Sequence, residues 1–415
     1  MLNRMKGFLR KLTGGRTSGQ AGRSRREPQT PPVEPGTPPF CVTPWSNLSI
    51  AGSGISTCCS MRKEFRPTFD DIHEGMSLLE LFQHRKLVAA RKAILNGNAG
   101  KVCTLACPKF SDFTHGLSKP GRLAQMYTED LDQTPEPYRR NIERIEAAIN
   151  NAEAGEGFYP PSMTVQLGNA CNIRCSMCGW VRRDPYKMPP KLQPMIFEGM
   201  PYLRRLRLTG GEPAIFPFAK EVVAAAGEHP QLRLAINTNA TLLDEDFWYE
   251  ALTDQFCALR ISIDAASPET YHAIRKGGDF DTVMKVTREV ASRRRSRQEP
   301  EIVWSFVIQQ ANRHEVVPFA ELAVECGVDH VQYQPMVVPR KVSGSEVTED
   351  DEVWRKHEDA VAVLDQVRQA AGVLGAGNLK LTETVSARVS MAHKDLANDG
   401  RITVGNVSAR TCEES

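Results

Sequence analysis

No stretch of this 415-residue chain is both apolar enough and long enough to span a bilayer as a helix. Nor is one sign of charge in excess. The 52 Lys and Arg nearly balance 50 Asp and Glu, and a net charge of +2 gives the whole chain no nucleic-acid-binding signature. An apolar core of the kind a secretory signal needs is also missing, because Arg10 and Lys11 interrupt the only candidate. With that absence, the 11 cysteines are not read as a disulfide framework. Their clustering fits a reducing compartment, and the expected location is cytoplasmic. Hydrophobic residues make up 41% of the chain, ordinary for a globular protein with a core.

A further absence is the most informative. Cys171, Cys175 and Cys178 lie on one short run with the spacing C-x-x-x-C-x-x-C, and no fourth cysteine stands nearby. A structural zinc site closes with four ligands, and an electron-transfer iron–sulfur cluster usually takes four cysteines. Three thiolates on one loop leave a coordination position open, where a ligand can bind. Residues 163–169 alternate as a strand does, so the loop begins where a strand ends. Downstream, a second alternating run from Leu206 leads into Gly210, Gly211, Glu212 and Pro213. Glycines there permit close backbone approach, and successive amides can cradle a polar group. A zinc knuckle or a set of buried apolar thiols is the competing reading of the triplet.

These two motifs, at this separation, resemble the radical S-adenosylmethionine (radical SAM) superfamily over residues 160–340. The resemblance implies that Cys171, Cys175 and Cys178 hold a 4Fe-4S cluster whose fourth iron is chelated by the amino and carboxylate groups of S-adenosylmethionine. It implies that the segment Gly210-Gly211-Glu212-Pro213 meets the methionyl amine. An electron from a flavodoxin-like or ferredoxin-like donor would then cleave the sulfonium and yield a radical that abstracts a substrate hydrogen. The position before the last cysteine is usually aromatic in the family; here it is Met177, an adaptable apolar side chain able to cover a purine face. Trp180 reads equally as packing.

Six strand-like runs, 163–169, 204–209, 232–238, 258–264, 302–309 and 329–335, alternate with helical patterns at 191–199, 216–227, 244–255, 280–297 and 314–326. Such alternation argues for a parallel sheet with right-handed crossovers. The expected class is α/β, a partial (β/α)6 TIM-like barrel of the radical SAM type, with a small N-terminal α+β iron–sulfur domain. Both motifs follow strand ends and therefore face one mouth. By resemblance, Asn239, Ser262 and Arg275 contact the ribose and methionyl carboxylate; satisfied turn backbone and a surface charge are the plain alternatives. His330, Gln332, Tyr333 and Gln334 share the sixth strand, so alternate members would line the barrel. The basic run from Arg293 to Arg297 reads as a solvated helix end.

A second cysteine group lies upstream. The order Cys41, Gly54, Cys59, and then Cys103 and Cys107, is similar to the opening of the SPASM and twitch auxiliary domains that accompany some radical SAM enzymes. The shorter twitch form is the better match, since later SPASM cysteines are missing. It implies a second, auxiliary 4Fe-4S cluster on Cys41, Cys59, Cys103 and Cys107, with Cys58 competing for Cys59. A four-thiolate zinc site is the alternative. Such domains normally follow the barrel, whereas this one precedes it.

The expected layout is a basic, Pro-rich tail at 1–38, the auxiliary domain at 39–120 and a linker helix at 121–158. The barrel at 159–340 and a helical extension at 341–415 complete it. Ile142, Ile145 and Ile149 share one face of the linker helix. Residues 1–35 carry eight Lys or Arg against two Glu, a solvated composition rather than a strong membrane or nucleic-acid signal. Cys257 and Cys326 read as buried structural residues, and Cys412 stands where a following domain begins in relatives. The expected reaction is oxidation or modification of a peptide or a carbohydrate-like small molecule. A non-catalytic electron carrier and a zinc-stabilised binding module are the alternatives from other classes.

Overall fold

The computed structural model describes residues 33–34, 38–58, 60–104, 107, 109–110, 121–155, 157–179, 184–294, 299–336, 338, 346–375 and 378–381. Cys59, Trp180 and Cys412, the end of the basic run at 295–297 and the tail up to residue 32 lie outside them.

In chain order the strands are β1 (Asn47–Ala51), β2 (Gly54–Ser56), β3 (Ser162–Gln166), β4 (Arg174–Cys175), β5 (Arg205–Thr209), β6 (Arg233–Thr238), β7 (Phe256–Ser262), β8 (Arg275–Lys276), β9 (Glu301–Ile308), β10 (His330–Pro335) and β11 (Leu379–Leu381). Among the described residues one large sheet runs β11-β10-β9-β7-β6-β5-β3-β1-β2, and β4 and β8 form a separate antiparallel pair. Every neighbouring pair in the large sheet is parallel except the β1–β2 hairpin. The helices are α1 (Arg85–Leu95), α2 (Glu136–Asn150), α3 (Gln193–Gly199), α4 (Pro217–Ala226), α5 (Asp246–Asp254), α6 (Pro268–Ile274), α7 (Phe280–Arg293), α8 (Val316–Glu325) and α9 (His357–Leu374). Crossover helices separate the parallel strands, as a parallel sheet requires. This is the expected α/β partial barrel.

Strand alternation divides the sheet into two unlike faces. Ile50, Val165, Leu208, Ile236, Leu259 and Ile302 align across one face and are fully buried. Helices cover it: Phe319 of α8 meets the rings of Trp304 and Phe306 at 5.2 and 4.7 Å, and the Tyr333 hydroxyl donates to Val316 O. Burying each such aliphatic side chain contributes about 1.5–3 kcal/mol. The opposite, concave face carries Thr164, Arg207, Asn237, Arg260, Ser305 and Gln332; Thr164, Asn237 and Arg260 are partly exposed, while Arg207, Ser305 and Gln332 are buried. Tyr333 thus belongs to the helix side, while His330, Gln332 and Gln334 line the concave side.

The upstream hairpin is not set apart from the barrel. β1 pairs in register with β3, the strand that feeds the cysteine triplet, through Asn47–Ser162 to Ile50–Val165. At the far edge β11 pairs with β10, a strand that the sequence pattern did not reveal. α2 buries Ile142, Ile145 and Ile149 as its periodicity requires, and Asn141 fixes the lead into β3 through two bonds with the Tyr159 backbone, 3.0 and 2.8 Å.

Within residues 76–96 the chain forms two helices, Leu78–Phe82 and α1, rather than one. Arg91 explains the break. Its buried guanidinium takes Phe82 O at 3.0 Å, a carbonyl that an unbroken helix would give to Lys86 N, and Lys86 N instead donates to His84 Nδ1 at 3.3 Å.

Candidate active site

The cysteine loop leaves the carboxyl end of β3 and is held from three sides. First, the loop after β5 presses against it. Gly211 N donates to Gly168 O and Glu212 N to Ala170 O, each at 2.9 Å. Only glycine allows this approach: a Cβ on Gly211 would stand 2.0 Å from Ala170 O, and one on Gly210 2.4 Å from Gly168 O. Gly210 also has φ +144°, a conformation L side chains rarely adopt. These two amides are therefore spent on the cysteine loop rather than presented to a ligand. The double glycine works by letting two loops touch.

Second, the Glu212 carboxylate is fully buried and ties the ends of β5 and β6 together. Thr238 Oγ1 donates to Oε1 at 2.8 Å, Ala214 N to the same oxygen at 3.1 Å, and Asn239 N to Oε2 at 2.7 Å. Burial pushes its pKa above the usual carboxylate value, against the pull of those bonds. Asn239 in turn points Nδ2 at Cys171 Sγ (3.6 Å) and Asn172 Oδ1 (3.0 Å), while Thr241 holds its Oδ1 from Oγ1 at 2.6 Å.

Third, Cys175 lies in the short ribbon β4–β8, directly opposite Arg275. Arg275 Nη1 reaches Cys175 Sγ at 3.6 Å, Nη2 reaches Asp264 Oδ2 at 2.5 Å, and Nε reaches Ile263 O at 2.9 Å. Burial works against the Arg275 charge, but Asp264 beside it prevails and keeps its pKa above the ordinary arginine value. Burial pushes the Cys175 thiol up to about 11, with Arg275 opposing. Asp264 is held in turn by Val307 N at 2.6 Å and adopts a left-handed φ of +65°. Sequence reading singled out Arg275 but passed over Asp264, whose signal was a lone acid just past a strand end. Glu315 was also missed. It accepts from Ala266 N, Ser267 Oγ and Thr270 Oγ1 at 2.6, 2.5 and 2.7 Å, capping the start of α6, the helix that delivers Arg275.

The three thiols thus share one loop at the strand-end mouth, with Cys171 and Cys178 both within electrostatic reach of Cys175. Among the described residues no three Cys, His, Asp or Glu side chains stand close enough to share a single metal ion. A cubane, in which each thiolate binds its own iron, spreads its ligands more widely. The N–H groups of Asn239 and Arg275 aimed at sulfur suit cluster thiolates, because hydrogen bonds to sulfur tune such clusters. The donor set fits the 4Fe-4S group. Ser262 ends β7, half-exposed at the same mouth, Met177 is half-buried between the last two cysteines, and Pro213 is buried.

The upstream cysteines also gather. Cys103 is buried, and Cys41, Cys58 and Cys107 are half-buried around it. Burial first, then Cys58, Cys41 and Cys107 nearby, holds the Cys103 thiol far above the ordinary range. Cys326 is buried as expected, whereas Cys257, read from the sequence as buried, is half-buried with its Sγ donating to Leu234 O at 3.3 Å.

Comparison with known proteins agrees with this geometry. Residues 165–308 match the Radical SAM superfamily. GTP 3',8-cyclase of Clostridium botulinum (strain Okra / Type B1) is 23% identical over 211 residues, which cover 48% of this chain and 65% of that protein. GTP 3',8-cyclase of Klebsiella pneumoniae (strain 342) is 30% identical over 151 residues, 33% of this chain and 43% of that protein. The chain therefore spans less than two-thirds of either relative. Among solved structures, Streptococcus suis SuiB bound to S-adenosylmethionine is similar with a TM-score of 0.42 and 14% identity, covering 54% of this chain and 50% of that one. Native anSMEcpe with bound AdoMet has a TM-score of 0.42 and 18% identity, with coverage of 50% and 60%. At those values the two structures carry no argument about the site. The family match falls on the strands and loops that assemble the cysteine mouth, and residues 165–308 of this chain are a radical SAM domain.

Proposed function

We propose that this chain reductively cleaves S-adenosylmethionine at a 4Fe-4S cluster held by Cys171, Cys175 and Cys178, and removes a hydrogen atom from its substrate. The net reaction is the oxidation or modification of a peptide or carbohydrate-like small molecule. The observation that carries this reading is the bonding of the Gly210–Glu212 loop directly onto the cysteine loop, which joins the two motifs into one mouth. When bound, the cluster and S-adenosylmethionine supply the radical chemistry; the protein supplies orientation and seclusion. Arg275 and Asn239 direct N–H groups at Cys175 and Cys171 and so favour their thiolates. Asp264 and Glu212, both buried, hold those donors in place.

The upstream group is proposed as an auxiliary 4Fe-4S site on Cys41, Cys58, Cys103 and Cys107. Cys58 is taken here, with Cys59 as the competing ligand, because its thiol lies within electrostatic reach of Cys103; Cys59 lies outside the described residues. Such a site could take an electron from a substrate radical or anchor the substrate, and a flavodoxin-like or ferredoxin-like donor in a reducing compartment would feed the first cluster. Among the described residues no helix is long and apolar enough to cross a membrane.

The test is anaerobic incubation of dithionite-reduced, cluster-filled protein with S-adenosylmethionine. 5′-Deoxyadenosine should form, and the triple variant Cys171→Ala, Cys175→Ala, Cys178→Ala should form none. Absence of product from the parent sinks the enzyme reading; product from the triple variant sinks the site. For the auxiliary site, Cys58→Ala should lower iron per chain by about one cluster, whereas an unchanged content would return the assignment to Cys59.

A further inference from the structure

The upstream cysteine group sits at the other end of the sheet from the triplet. β1 runs parallel to β3, from Asn47–Ser162 to Ile50–Val165, so both strands point their carboxyl ends at the mouth. The turn of the β1–β2 hairpin reaches that end, where Gly52 N donates to Gln166 Oε1 at 2.9 Å. Cys41 and Cys58 flank the opposite end of the hairpin. Cys41 precedes the helical turn Thr43–Ser46 that leads into β1, and Cys58 lies two residues past β2. Asn47 Nδ2 donates to Thr57 O at 3.0 Å, which closes the open end of the hairpin beside Cys58.

Contacts outside the strands bring the other two cysteines to the same end. Arg62 N donates to Val102 O at 2.8 Å, joining the chain after Cys58 to the residue before Cys103. Cys107 N donates to Thr104 O at 2.9 Å, so Cys103 and Cys107 share one turn. Phe40, next to Cys41, places its ring 6.0 Å from that of Phe110, three residues past Cys107. Burial and then the neighbouring thiols hold the Cys103 thiol high, in agreement with these contacts. Among the described residues no three of these thiols stand close enough to share one ion, a spread that suits a cubane better than zinc. Ser162, level with Asn47, is six residue steps from Gly168, where the triplet loop begins, or about 20 Å of extended strand.

We infer that the upstream site is structural: it ties the lead into β1, the exit of β2 and the turn at Cys103 and Cys107 into one unit at the amino end of the barrel, away from the substrate mouth. This rests on the proposed auxiliary 4Fe-4S site and decides between the roles open to it. Four thiolates close a cluster and leave no iron for a substrate to bind. Electron tunnelling falls exponentially with distance, so a cluster this far from the mouth neither touches nor directly oxidises a molecule held there. The fold has use for a staple at this point. β2 is only three residues long, and a bare two-stranded hairpin is marginal. Metal held by the folded arrangement alone adds its binding free energy to folding, and it does so beside β1, the strand that covers the edge of β3.

The experiment takes the cluster-filled full chain, reduced with dithionite under anaerobic conditions, and records its electron paramagnetic resonance with and without S-adenosylmethionine. Two additive signals should appear, neither split by the other. S-Adenosylmethionine should change the triplet's signal and leave the upstream signal as it was. Mutual splitting, or an upstream signal that responds to S-adenosylmethionine, overturns the inference. Cys41→Ala, a ligand whichever of Cys58 and Cys59 completes the set, should lose the upstream signal, and the amides of β1 and β2 should exchange at least tenfold faster. Parent-like protection of those amides in a variant without upstream metal also overturns it. If the variant does not fold, the parent spectra still decide. One zinc per chain in place of the second cluster, with the same loss of protection in Cys41→Ala, supports the structural role and sinks the auxiliary iron–sulfur reading alone, since zinc carries no electron. Two additive signals from a parent that forms no 5′-deoxyadenosine support the structural role and sink the radical SAM reading alone.

Discussion

A single methyl group decides whether the two motif loops can meet. Gly211→Ala would place a carbon 2.0 Å from Ala170 O, a backbone atom that cannot swing aside. The cysteine loop must then move away from β5. We expect a loss of about 1–3 kcal/mol in stability, a fall in iron bound at the triplet, and at least a tenfold slower release of 5′-deoxyadenosine. Melting curves and iron analysis on one preparation check this, and a variant with full iron and full rate would show the contact to be idle. Arg275 makes a sharper case because its partner is a buried acid. Arg275→Met leaves Asp264, 0% exposed, without its cation, and breaking such a pair costs about 3–5 kcal/mol. Chemical denaturation should report that loss. The double variant Arg275→Met, Asp264→Asn, which removes the buried charge yet keeps an acceptor for Val307 N and tolerates the left-handed φ, should recover part of the stability but none of the iron-dependent activity.

At the level of elements, the strands and crossover helices of the barrel were readable because their period follows from which face is buried. Ile302, Trp304, Phe306 and Ile308 share one face of β9, the face on which Phe319 of α8 packs. Helix breaks and edge strands were not readable, since both depend on distant partners. Arg91 ends a helix from nine residues away in sequence, and β11 exists by pairing with β10. The cysteine triplet was legible from spacing, while Asp264 and Glu315 were not, because a carboxylate that positions another residue has no local pattern. The turn before α1 offers an element-scale prediction. Asp71 caps its own turn through Thr68 N at 2.8 Å and pairs with Lys86 of α1 at 2.6 Å. The bond from Lys86, with the Thr68 bonds, holds the Asp71 carboxyl far below its usual value. A lowered folded-state pKa means the stabilisation is complete above the unfolded value, about pH 4, and fades as pH falls below it. Asp71→Asn should therefore melt lower than the parent at neutral pH, and the two should converge on acidification. A gap that widens with acid would contradict the pairing.

For the whole molecule, the question is whether the upstream cysteine group and the barrel are one folding unit or two. Expected as a domain of its own, the upstream segment nevertheless contributes β1 to the barrel sheet, alongside the strand that carries the triplet loop. Leu48 and Ile50 of β1 are fully buried, aligned with Met163 and Val165 of β3. Trp45 adds a bond from Nε1 to Glu153 O at 2.8 Å, and Arg91 clamps Pro44 O at 2.8 Å while lying over the Phe82 ring. Stripped of β1, β3 would expose an edge of unpaired backbone beside the cysteine loop. The two cysteine groups should therefore lose structure together. Native-state hydrogen exchange should give the amides of β1 and β3 the same opening free energy, because sheet neighbours in one cooperative unit open as one. Ile50→Ala, expected to cost about 2–5 kcal/mol, should lower both values by the same amount and weaken iron retention at Cys171, Cys175 and Cys178 as well as at the upstream group. Exchange that separates β1 from β3, or a variant that sheds only upstream iron, would mean that two independent domains merely share an edge.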